Sequence, residues 1–103
     1  MPPGRLMMRF RWSPEKHAAN LRRHGVGFIE AMSVFGDPLS LAIPDPAHSV
    51  GEQRWLLLGS GSRGQLLVVA HAEDGDEIRI ISVRRATKRE RAMYEEGETN
   101  FRT

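Results

Sequence analysis

The sequence predicts an α+β fold, an antiparallel β-sheet with two helices before it in the chain and one after it. Three observations carry this reading. Strand-like apolar runs at residues 54–59 (RWLLLG), 65–71 (QLLVVAH) and 77–83 (EIRIISV) follow one another with turn-forming residues between them. Helical spacing of apolar residues is confined to the stretches on either side of that block. A chain of 103 residues has room for one domain and one modest core, so these elements must pack on each other.

Residues 8–12 (MRFRW) alternate apolar and basic side chains, as a half-buried strand does. Ser13-Pro14-Glu15 opens a helix, with Ser13 as N-cap and Pro14 at the first helical position, where a missing N–H leaves no bond unmade. The helix runs to His24 and stops at Gly25, a residue suited to the left-handed turn after a helix. A second, short helix at about 28–35 sets Phe28, Ala31, Met32 and Phe35 at helical spacing, and Gly36-Asp37-Pro38 breaks it.

Residues 39–43 form a short strand before the turn Pro44-Asp45-Pro46. Residues 59–64 and Asp74-Gly75-Asp76 are hairpin signals, which makes the next three strands antiparallel neighbours. Thr87-Lys88-Arg89-Glu90 fits a capping box and opens a last helix to about Glu96. The order is β-α-α-β-β-β-β-α in a single domain spanning 1–103. Residues 1–7 are expected to be an upstream-start extension, since Met7 and Met8 directly precede the first strand, and residues 97–103 a frayed tail.

Hydrophobic residues at 40% and charged residues at 27% are the balance of a globular chain and argue against disorder. With no cysteine, a disulfide framework and a cysteine-based zinc site are both excluded, which fits a cytoplasmic protein. The longest apolar run, residues 66–70, is too short to cross a membrane, and no signal-peptide pattern opens the chain. The histidines show no H-x-H or H-E-x-x-H spacing, and no phosphate loop or dinucleotide fingerprint is present, so neither metal nor cofactor is expected.

The formal charge of +2 hides a segregation. Residues 1–24 hold six basic side chains against Glu15 alone, and residues 79–91 hold six against Glu90 alone. Residues 25–78 hold Arg54 and Arg63 against eight acids. If the two basic ends meet in the fold, they form a cationic face suited to a polyphosphate; otherwise they are solvated faces scattered over the molecule.

Arg54 opens one strand and Arg79 lies inside another, between Ile78 and Ile80. An arginine in an apolar strand must find a carboxylate, a rim or a ligand, because burying it unpaired costs several kcal/mol. The structural alternative to a ligand is a pair such as Arg54–Glu77 or Arg79–Glu52. A regular pleat puts Arg79 and Arg84 on opposite faces, so a shared site requires a bulge or a chain turn near 82–84.

On the first helix Lys16, Asn20 and Arg23 recur along one polar edge, and His24 closes the helix, where the dipole favours its charged form. His24 is there either a proton donor or a cap for the last carbonyls. His71, at a strand end, reads as a hydrogen-bonded rim residue. Trp55 and Tyr94 are candidates for stacking on a base; Trp55, flanked by Leu56 and Leu57, reads more simply as core, and the role of Tyr94 is open.

Three blocks resemble the BrnT family of toxins. The opening FRWSPEKHAANLRRHGVGF, residues 10–28, is similar to the family's strand, W-D-P-x-K, asparagine and K-H-G-V-x-F. The middle DPAHSVGEQRWLLLG, residues 45–59, is similar to D-x-x-H-S-x-x-E-x-R-W, and IRIISVRRATKRERAMYE, residues 78–95, to R-I-I-S-A-R-x-A-T-x-x-E-R-x-x-Y-E. The resemblance implies a RelE-like fold and metal-independent endoribonuclease activity that arrests translation. It also implies a BrnA-like antitoxin with a ribbon-helix-helix domain, and contact with operator DNA only through that complex.

Cutting RNA without a metal requires a base for the 2′-hydroxyl, an acid for the leaving oxygen and cations for the phosphorane. By position the resemblance puts catalytic roles on Arg23, Arg54, Arg79 and Arg84, with His24 and Glu52 nearby. Lys16, Asn20, Arg85, Lys88 and Tyr94 are expected to bind substrate. Arg23 stands where the family usually has lysine, which keeps the charge and removes a neutral amine base. Ser13 replaces an aspartate, another good N-cap, and Val83 replaces an alanine. Two alternatives stand beside this reading: a toxin directed at DNA gyrase on the same fold, or a non-catalytic module that binds its antitoxin and contributes to operon repression.

Overall fold

The computed structural model describes residues 8–48 and 51–97; the expected extension at 1–7 and all of the tail beyond Gly97 lie outside it. The elements are β1 (Arg9–Arg11), α1 (Pro14–His24), α2 (Phe28–Val34), β2 (Leu41–Pro44), a single 3-10 turn (Pro46–His48), β3 (Arg54–Ser60), β4 (Leu66–Asp74), β5 (Glu77–Arg85) and α3 (Lys88–Glu96).

Local chemistry sets the helix ends. The Ser13 hydroxyl accepts the Lys16 N–H at 3.3 Å, and Gly25 takes φ 71° while its N–H returns to the Leu21 carbonyl. Gly27 starts α2 without a side chain to cap it, and His17 supplies the cap: its Nδ1 accepts the Phe28 N–H at 3.0 Å. At α3 the capping box is complete, with Thr87 and Glu90 bonding reciprocally. β2 begins two residues later than the apolar pattern suggests, because Asp37 ties Leu39 N–H (3.0 Å) and Ser40 N–H (3.1 Å) into a turn.

The sheet runs β1-β5-β4-β3-β2. The four strands from β2 to β5 are antiparallel, as the turn signals require. β1 differs from the antiparallel expectation: it lies parallel to β5, with Arg9 beside Glu77 and Arg11 beside Arg79. Alternation encodes which side of a strand is buried and says nothing of its direction, so the sheet is mixed at this one edge.

Alternate side chains feed two cores. On one face α1 and α2 cover Leu57, Leu67, Val69, Ile78, Ile80 and Val83, with Phe28, Ala31 and Val34 fully buried against them. Each large side chain buried there is worth roughly 1.5–3 kcal/mol. On the other face α3 covers only one end, laying Met93 and Tyr94 over Leu58, Leu66 and Val68. The rest of that face stays open.

Between β4 and β5 the register shifts. Ala70 pairs with Ser82 and His71 with Ile80, leaving Ile81 as an extra residue. This is the bulge that a shared site for Arg79 and Arg84 requires. Before it, Ile78 and Ile80 face the two-helix core; after it, Val83 does. Arg79 and Arg84 therefore both point to the open face.

Candidate functional site

Register places Arg54 and Arg79 on either side of Ala72 in one cross-strand row. Ala72 has no side chain beyond Cβ and is 3% exposed, so the two guanidiniums extend over it. Glu52 lies between them, accepting Arg54 Nε at 3.2 Å and Arg79 at 2.5 Å. The expected alternative pair Arg79–Glu52 is thus present, while Arg54–Glu77 is replaced by Arg54–Glu52. The hydrogen bond from Arg79, supported by that from Arg54, holds the Glu52 carboxyl below the usual carboxylate range. At neutral pH this group is a carboxylate between two cations that keep about a third of their side-chain surface in water.

Arg84 stands further along β5 on the same face, paired bidentately with Glu90 at 2.8 and 2.9 Å. Glu90 is also the capping-box acid of α3, so one carboxylate fastens both the helix start and the strand end. The Arg84 hydrogen bonds, with the Thr87 backbone N–H, pull its pKa down to about 2. Lys88 is exposed at the first position of α3.

The edge of β5 beyond β1 is covered by Asn20. Its amide accepts the Val83 N–H at 3.0 Å and donates to the carbonyls of Val83 (2.8 Å) and Val26 (2.9 Å). Asn20 is 7% exposed, so the polar-edge reading is corrected here: its amide takes the place of a neighbouring strand, with both of its N–H groups committed to backbone carbonyls. Lys16, Arg23 and His24 do remain at the surface and line a cleft of about 270 Å³ with Ile81 and Ser82 at that edge.

Three further side chains are engaged within the protein. Arg85 follows Arg84 onto the opposite face and donates to the His24 carbonyl at 3.1 Å, capping α1. The Tyr94 hydroxyl donates to Asp37 at 2.6 Å; that hydrogen bond raises its pKa to about 12 and ties α3 to the turn before β2. Its ring packs on the smaller core. Asp37 also accepts the Ser60 N–H at 2.8 Å. His71 is buried rather than at a rim, with Phe35 edge-on at 4.9 Å.

Sequence reasoning assigned no role to Arg11, which shares the open face with Arg79, or to Ser82, which lies between the two β5 arginines. The pairing of β1 with β5 brings Arg11 there. Among the described residues no group of three or more histidine, aspartate or glutamate side chains converges as a metal site. None of their helices is long and apolar enough to cross a membrane.

The arrangement is a shallow, partly open sheet face with arginines on separate strands and an ionised carboxylate among them, a geometry suited to phosphate oxygens. The family described as the ribonuclease toxin, BrnT, of type II toxin–antitoxin systems matches residues 12–90. The chain belongs to the BrnT family. Among solved structures it is similar to the Brucella abortus ribonuclease toxin, BrnT, with a TM-score of 0.62 and 19% identity over 79% of this chain and 99% of that one. At that identity the likeness concerns the BrnT fold. No curated protein matches the sequence. As a BrnT protein the chain is a ribonuclease toxin of a type II system, which implies RNA as its target and an antitoxin as its partner.

Proposed function

We propose that the chain is a metal-independent, cytoplasmic endoribonuclease that cuts RNA on the open sheet face and so arrests translation. The observation that carries this reading is the bulge at Ile81, which sets Arg79 and Arg84 on one face with Arg54. RNA lies across Ser82, its phosphate oxygens held by Arg54 and Arg79, whose planar forks match them two at a time. Arg84 holds a flanking phosphate oxygen, and Lys16, Arg23 and Lys88 steer the strand.

Glu52 takes the proton of the 2′-hydroxyl. Its depressed pKa makes it a weak base while Arg79 is bound to it. A phosphate that captures Arg79 frees the carboxylate and raises its basicity at the moment it is needed. His24, which lines the edge cleft together with Ser82, donates the proton to the leaving oxygen. A BrnA-like antitoxin with a ribbon-helix-helix domain neutralises the toxin by laying an acidic segment over the arginines, and the complex represses its operon.

The test is incubation of purified, antitoxin-free protein with total RNA in EDTA. Discrete fragments ending in cyclic phosphates support the reading. Intact RNA with folded protein overturns it and turns attention to gyrase or to a purely antitoxin-binding module.

A further inference from the structure

The two basic ends of the sequence meet at the β1–β5 pairing. Arg11 lies beside Arg79 in register, while Phe10 and Ile78 next to them turn into the core. Arg11 therefore shares the open face with Arg79 and Arg54, and the row Arg11–Arg79–Ala72–Arg54 crosses four strands. From β1 to β3 that is three strand gaps, about 14 Å in all. This is too long for one phosphate.

Like charges side by side on neighbouring strands oppose folding. Here each arginine is balanced from its flank instead, Arg11 by Glu77 at 3.0 Å and Arg79 by Glu52. Arg9 also reaches Asp76 and Glu77, at 3.5 and 3.9 Å. The Arg11 side chain is 51% exposed, against 30% for Arg79 and Arg54, so it keeps donors in water.

We infer that Arg11 is a further RNA-binding cation, holding a phosphate next to the one gripped by Arg54 and Arg79, with Glu77 occupying it until RNA arrives. This rests on the ribonuclease reading above. The competing role for Arg11 is structural, a charge that keeps the β1 edge from pairing with another chain.

The experiment measures binding of a fluorescein-labelled, single-stranded 2′-O-methyl RNA, which cannot be cut, over a range of salt. The proteins are wild type, Arg11→Gln, Arg11→Lys, Glu77→Gln and Arg63→Gln. Arg63 is a charge-matched control on the hairpin at the far end of β3 and β4. Arg11→Gln is expected to weaken binding about 3- to 10-fold and lower the salt slope by about one, with the slope kept in Arg11→Lys. Glu77→Gln is expected to tighten binding. Arg11→Gln indistinguishable from Arg63→Gln, or Glu77→Gln changing only the melting temperature, overturns the inference. Wild type that leaves total RNA uncut in the EDTA assay overturns the ribonuclease reading itself, whereas cutting there by wild type, with binding unaltered in Arg11→Gln, overturns this inference alone.

Discussion

Arg79 and Arg84 project from the same face of β5 because Ile81, bulged between Ile80 and Ser82, absorbs one residue of the pleat. Were Ile81 paired in a regular pleat instead, Arg84 would turn toward the two-helix core and Val83 away from it. The bulge thus serves packing and the arginine face together.

Asn20 is predicted to matter for stability. Replacing it with alanine strips partners from the Val83 N–H and from the Val83 and Val26 carbonyls. Leaving buried backbone groups unpaired costs about 1–3 kcal/mol each, so Asn20→Ala should destabilise the fold by about 2–4 kcal/mol after relaxation and water entry. Chemical denaturation measures this. RNA binding per folded molecule should be unchanged.

Glu90 should dominate acid sensitivity at low pH. Its folded pKa of about 2 lies below the ordinary 4.5, so its contribution is present above pH 4.5 and is lost as pH falls toward 2. Glu90→Gln should be less stable than wild type at neutral pH and should flatten the stability curve across that window. Urea denaturation from pH 6 downward, about one unit at a time, reads both effects.

His71 acts in a higher window. It is 2% exposed, and burial lowers its pKa from 6.5 in spite of the Val69 backbone and of Glu73 at 3.6 Å from Nε2. The folded state resists the proton, so stability is unaffected above pH 6.5 and falls below it as the unfolded chain binds one. The slope can reach about 1.4 kcal/mol per pH unit. His71→Leu should remove that slope, which hydrogen exchange between pH 7 and about 5 would detect.

Glu52 separates chemistry from binding. Glu52→Gln should lower the cleavage rate by about 10²- to 10⁴-fold, the usual span for a general base, while RNA binds at least as tightly. Single-turnover cleavage with saturating protein checks this. An undiminished rate would remove Glu52 from the base role.

Much of the fold was legible from short-range chemistry. Ser13, Pro14 and Gly25 mark α1, Thr87 and Glu90 mark the start of α3, and Asp74-Gly75-Asp76 joins two antiparallel strands. The requirement for a bulge was legible too, though not that Ile81 supplies it. The direction of β1 was not, because Phe10 alternates with Arg9 and Arg11 equally well in either sense. Asn20 misled for a related reason: helical period groups it with Lys16 and Arg23, and only the free edge of β5 turns it inward. Arg84 and Tyr94 found partners, Glu90 and Asp37, that lie on other elements and leave no mark in local spacing.

The most direct test of the central claim is cleavage of total RNA in EDTA by the Arg79→Ala/Arg84→Ala double variant beside wild type, with circular dichroism to establish that both are folded. Fragmentation by wild type and its loss in the folded variant is the predicted result. Equal fragmentation by the two proteins would contradict the assignment of cleavage to the arginines that the bulge brings together.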